Sequence, residues 1–218
     1  MREMRLPFQK SFERLTQYPP LKMLALVVTA LVVLRVAIGM FIVIPNDAGI
    51  GGLTAGIINP ILVLGFLVRA LMSAALNWLI IMSLFLLVLI YVRVSKRFIK
   101  EDVALSGVIF LMIIITVYRI ILQFIQVIFD IPIQTTRGFS IDSLALFNPE
   151  NLWISKIGLD LFLQVGLLGM LLRYTAKLPK KDVIMWMLIS VVVLYLSSVG
   201  IEYLNHLHFN YRFDGWRY

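Results

Sequence analysis

Three ionisable side chains sit inside stretches of this chain that are otherwise apolar: Arg35, Arg119 and Asp160. A charge in a hydrocarbon layer is costly unless it is paired or hydrated, so each is a functional candidate. At about 1.5 Å of rise per residue, counted from the outer ends of the helices assigned below, all three lie roughly 10 to 14 Å deep. Equal depth is what an ion pair or a polar cluster requires. Thr116, Arg119, Gln123, Gln126 and Asp130 follow one another at offsets of three and four, which lines one face of a helix. Asp160 and Gln164 repeat that spacing. Arg35, Thr116, Arg119, Gln123, Gln126, Asp160 and Gln164 therefore form a candidate intramembrane polar cluster. Two uses suit it. Polar side chains can hydrogen-bond helices of this chain to each other or to a partner subunit, or they can line a path for a solute or lipid. The residues alone leave both open.

Catalytic patterns are not found in the sequence. His206 and His208 stand near Glu202 without a further paired ligand, and their spacing is neither that of a zincin helix nor that of a zinc finger. No phosphate-cradling glycine loop, nucleophile elbow or Glu-Glu pair of the membrane CAAX-protease type occurs. With no cysteine there is no disulfide, thiolate ligand or sulfur-linked lipid. The expectation is a protein that is not an enzyme and needs no metal or cofactor.

The elements that must position the cluster follow from composition. Hydrophobic residues make up 61% of the chain, charged residues 15%, and the mean hydropathy is +0.93. A soluble fold of this size needs more polar surface, so hydrocarbon is the expected solvent. A net charge of +8 would suggest nucleic acid in a soluble protein. Here the basic residues form short clusters between apolar runs, the pattern that encodes membrane topology, so no nucleic-acid partner is expected. The first 22 residues are amphipathic rather than an apolar core before a small-residue cleavage site, and no cleavable signal is expected.

A crossing needs about 20 apolar residues, and five segments qualify: 21–44, 76–92, 103–128, 152–172 and 183–204. The segment 53–72 follows Gly49, Gly51 and Gly52, contains Pro60 and carries one charge, Arg69. It reads as re-entrant or interfacial, with Pro60 as a break and Arg69 snorkelling to headgroups. A pair of spans across 53–92 is the alternative, although no glycine or proline marks a turn near Arg69. With five spans, thirteen of the twenty basic residues fall on one side, in the N-terminal segment, the 93–100 connection and the 173–181 connection. That bias predicts a multi-pass cell-membrane protein with its N-terminus cytoplasmic and its C-terminus extracytoplasmic. Trp78 and Trp153 then fall near the outer interface and Trp186 near the inner one. Residues 1–20 form a cytoplasmic segment in which Phe8, Phe12 and Leu15 oppose Lys10, Glu13 and Arg14. It reads either as a helix on anionic lipid or as one docked on the bundle. Residues 21–205 form the membrane domain and 206–218 an interfacial tail outside. The fold class is thus an all-α, polytopic helical bundle: five spans, an N-terminal amphipathic helix and an interfacial segment.

This layout resembles the bacterial branch of the YIP (Ypt-interacting protein) family of five-span membrane proteins. The likeness rests on PFQKSFERLTQYPP at 7–20, on the basic connection and following helix SKRFIKEDVALSGVIF at 95–110, and on LDLFLQVGLLGMLL at 159–172. Two family features are missing. Val165 stands where a tryptophan is frequent, and the third span lacks its central proline, with Tyr118 and Arg119 near that place. The resemblance implies an accessory membrane component, in bacteria sometimes alongside ABC-type exporters, and in eukaryotes an association with Rab-type GTPases. The expected partners are therefore the lipid bilayer and other membrane subunits, ABC-type exporter components among them. A small transporter or channel using the polar cluster is the competing expectation.

Overall fold

The computed structural model describes residues 8–17, 19–43, 60–128 and 157–214. Among these the chain is helical throughout apart from short connections. Three helices are long and apolar enough to cross a membrane, over Leu21–Ile38, Val63–Val94 and Glu101–Ile125. The elements in order are α1 (Gln9–Leu15), α2 (Leu21–Val43), α3 (Pro60–Val94), α4 (Glu101–Ile128), α5 (Leu159–Met170) with a π-helical turn (Leu171–Thr175), and α6 (Lys180–Asp214).

The central element is α4. Glu101 and Asp102 occupy its first turn, where the helix dipole favours carboxylates. Val108, Ile109, Leu111, Met112 and Ile115 behind them are buried, and α1, α2, α3, α5 and the π-turn all pack against this helix. The apolar side of α1 is docked on it: Phe12 is fully buried and meets Phe110 edge-on at 5.3 Å, while Lys10, Glu13 and Arg14 face outward. Of the two readings of this segment, docking on the bundle is the one that the contacts support.

Two expectations are corrected. Residues 60–72 are not re-entrant, because α3 is one helix of 35 residues, about 52 Å long. Pro60 opens it at the first position, where a missing N–H costs nothing, and no turn divides it into two spans. Residues 53–59, Trp153 and the outer loop 130–151 lie outside the described residues. The fourth span does not run over 152–172. Ile157 and Gly158 are not helical, and α5 begins at Leu159, with its last turn widened to a π-helix in which Ala176 N–H reaches Leu171 O at 3.2 Å. Beyond the expected fifth span, α6 continues to Asp214, so residues 206–214 of the expected tail are helical.

Close packing reads out at glycines. A Cβ on Gly107 would collide with Leu171, itself fully buried, and one on Gly169 would meet the flexible end of Met187. Gly166 has nothing within 4 Å. Gly107→Ala is therefore expected to lower stability by about 1–3 kcal/mol through overpacking. Gly166→Ala should be neutral or raise it by up to about 1 kcal/mol through helix propensity. Thermal unfolding of the two variants in detergent checks the contrast, and equal shifts would contradict this packing.

Candidate functional site

Helix α4 presents Arg119 toward the first turn of α5, where Asp160 sits two residues after the N-cap Gly158. Asp160 is thus not in mid-helix, as an unbroken fourth span would have it. It lies at a helix N-terminus, a position that stabilises a carboxylate by itself. A single oxygen, Asp160 Oδ2, accepts from Arg119 Nε at 3.2 Å, from Arg119 Nη2, and from Gln164 Nε2 at 3.1 Å. Gln164 stands one turn further along α5, so the i to i+4 spacing seen in the sequence closes a local hydrogen bond. Both guanidinium nitrogens converge on one oxygen rather than forming the parallel two-by-two fork. The pair is partly covered, with side-chain exposures of 31% and 27%. It is the only ion pair among the described residues.

Arg35 joins from α2. It is half-buried and close enough for the charges of both Arg119 and Asp160 to act on it, yet it makes no hydrogen bond or ion pair with a described residue. Among the described residues two cations therefore share one carboxylate, a formal excess of one positive charge.

The other members are placed differently. Thr116 is buried and donates to Met112 O of its own helix at 2.7 Å, so it serves its helix and not the cluster. The side-chain oxygen of Gln123 is buried without a hydrogen-bond partner among the described residues. The side chains of Gln126, Glu202, His206 and His208 lie outside the described residues. The cluster that the structure assembles is Arg35, Arg119, Asp160 and Gln164.

No family model, curated protein or solved structure matches this chain. The functional reading therefore rests on what these residues can do. An arginine and a carboxylate held by three N–H donors make a stable tie between α4 and α5.

A second polar group escaped sequence reading. Trp186 of α6 is buried. Its ring stacks on Tyr91 of α3 at 4.1 Å and 15°, and its indole N–H donates to Ser95 Oγ at 2.9 Å. The Tyr91 hydroxyl meets Ser190 Oγ at 3.0 Å, and Ser190 also donates to Trp186 O at 2.8 Å. The available signal was four residues of spacing, Tyr91 to Ser95 and Trp186 to Ser190, on two helices. Trp78 likewise turns inward, donating to Thr29 Oγ1 of α2 at 3.2 Å.

Proposed function

We propose that this chain is a non-enzymatic membrane protein that works through helix–helix contacts with other membrane proteins, as an accessory or scaffold subunit of a transport or export assembly. One observation carries the reading. Between residues 63 and 72 of α3 only Ala70 is buried, so the first part of this helix presents a largely apolar surface that the described residues leave mostly uncovered. Gly65, which has no neighbour within 4 Å, leaves room for a second helix to approach closely. The Arg119–Asp160–Gln164 tie between α4 and α5 suits a scaffold, and the YIP-like layout points the same way. On this reading the chain crosses the cell membrane five times with its N-terminus in the cytoplasm. Supporting that orientation, the Phe12–Phe110, Thr175–Phe12 and Trp186–Ser95 contacts gather α1 and both basic connections at one end of the bundle.

The test is purification of the full chain in mild detergent with mass spectrometry of what accompanies it. A membrane protein is expected to co-purify and to be lost on Gly65→Trp, a change at a position where a Cβ meets no described atom within 4 Å. A wild-type chain that purifies alone and moves a solute across proteoliposomes defeats the proposal. Arg35, which has no hydrogen bond or ion pair with a described residue, favours transport as the second reading. In that case Arg35→Gln would abolish flux while leaving the fold intact.

A further inference from the structure

The connection from α3 to α4 encloses a groove of about 430 Å³ that the polar cluster does not use. Its floor is apolar, from Leu89 and Val92, and its rim carries Arg93, Arg97 and Lys100. The turn is rigidly built. Lys96 adopts a left-handed backbone at φ 53, Arg97 N–H bonds Val92 O at 3.0 Å and Lys96 N–H bonds Arg93 O at 2.9 Å. These two bonds close the C-terminus of α3, so its basic side chains are not needed to cap it. Glycine is the usual residue at such a position, yet here the chain keeps a lysine.

Four exposed cations, Arg93, Lys96, Arg97 and Lys100, stand here, and none forms an ion pair with a described residue. Facing them are two carboxylates, Glu101 and Asp102, both in the first turn of α4, where the helix dipole already holds them. The local balance is positive. Between Arg97 and Lys100 the ring of Phe98 is 85% exposed, beside the end of an apolar helix. An aromatic ring so placed belongs at the membrane–water interface, which sets the groove at headgroup level. Guanidinium groups over an apolar floor match a phosphate ester attached to acyl chains.

We propose that this groove binds the headgroup phosphate of an anionic phospholipid in the leaflet at this end of the bundle, with Phe98 inserted beside the acyl chains. The purified full chain is titrated in mild detergent with phosphatidylglycerol, phosphatidylcholine or inorganic phosphate, and bound lipid is read by native mass spectrometry. Phosphatidylglycerol is expected to bind at least about tenfold more tightly than phosphatidylcholine. The variant Arg93→Gln/Arg97→Gln/Lys100→Gln should lose at least about tenfold, given the attraction each basic residue adds near an anionic surface. The control Lys177→Gln/Lys180→Gln/Lys181→Gln, which removes equal charge outside the groove, should lose less than about threefold. Equal losses in the two variants overturn the site in favour of net charge. Inorganic phosphate binding as tightly as the lipid overturns it in favour of a free-anion site. Should the triple variant not fold, Phe98→Ala decides. Its ring is exposed, so weakened phosphatidylglycerol binding supports the proposal and unchanged binding refutes it.

Discussion

Asp160→Ala is expected to destabilise the bundle by about 3 kcal/mol, the lower end of the range for removing one partner of a buried ion pair. The lower end applies because both side chains are partly exposed, at 31% and 27%. Truncation leaves Arg119 without its carboxylate and Gln164 Nε2 without its acceptor, in a region that already holds Arg35. The loss arises from two cations left to repel each other and to be desolvated, more than from the hydrogen bonds themselves. A graded series separates these contributions. Asp160→Asn keeps an acceptor for Arg119 but no charge and should lose roughly half as much, since hydrogen bonds to charged groups are about twice as strong as neutral ones. Arg119→Met/Asp160→Leu removes both charges of the pair and should recover most of the loss, as replacing a buried pair by apolar side chains of similar volume commonly does. Unfolding of the purified variants in one detergent gives the numbers. An Asp160→Ala variant within about 0.5 kcal/mol of wild type, the level of an ordinary surface change, would show that the pair does not tie α4 to α5.

That pair was legible in the sequence for a definite reason. Arg119 and Asp160 lie 41 positions apart, but each is an isolated charge in an apolar run, and depth along a helix is fixed by rise per residue. Charges of opposite sign at similar depth in a small bundle have few other places to go. The i to i+4 relation of Asp160 and Gln164 was equally local. Periodicity also placed Thr116 on the polar stripe, yet its hydroxyl bonds its own helix, a choice that spacing does not encode. Gln123 shares the stripe and leaves its side-chain oxygen buried without a partner among the described residues.

Element boundaries were read less well, because the residues involved mean opposite things in different positions. Pro60 breaks a helix from within but opens one at its first turn. Only the observed start of α3 decides between these. Leu152 to Gly158 is apolar enough to extend a span, yet Ile157 and Gly158 are not helical, which moves Asp160 from mid-helix to a helix N-terminus. Tryptophan in a membrane chain suggests an interface, but that pattern does not reveal that a partner 95 residues away, Tyr91, covers the ring of Trp186. Such a pairing is set by how two helices meet, and no local pattern carries it.

The consequence of that pairing is the other large effect expected. Helices α3 and α6 meet chiefly through side chains, those of Tyr91, Ser95, Trp186 and Ser190. Trp186→Ala should therefore cost about 3 kcal/mol, the lower end for deleting a large buried aromatic ring. The lower end holds because lipid is as apolar as the side chains it replaces, so packing rather than transfer from water is lost. Trp186→Phe keeps the stack on Tyr91 and removes the donor to Ser95, and about 1 kcal/mol is the cost of one hydrogen bond. Tyr91→Phe should be milder still, because Ser190 retains its bond to Trp186 O. The order alanine, then phenylalanine at 186, then phenylalanine at 91 is the signature of a junction held by ring contact with hydroxyls as secondary ties. Unfolding in detergent measures the order, and protease cleavage in the 176–179 connection reports whether α6 leaves α3. If Trp186→Phe proves as damaging as Trp186→Ala, the indole N–H bond to Ser95, and not the stacked ring, holds the two helices together.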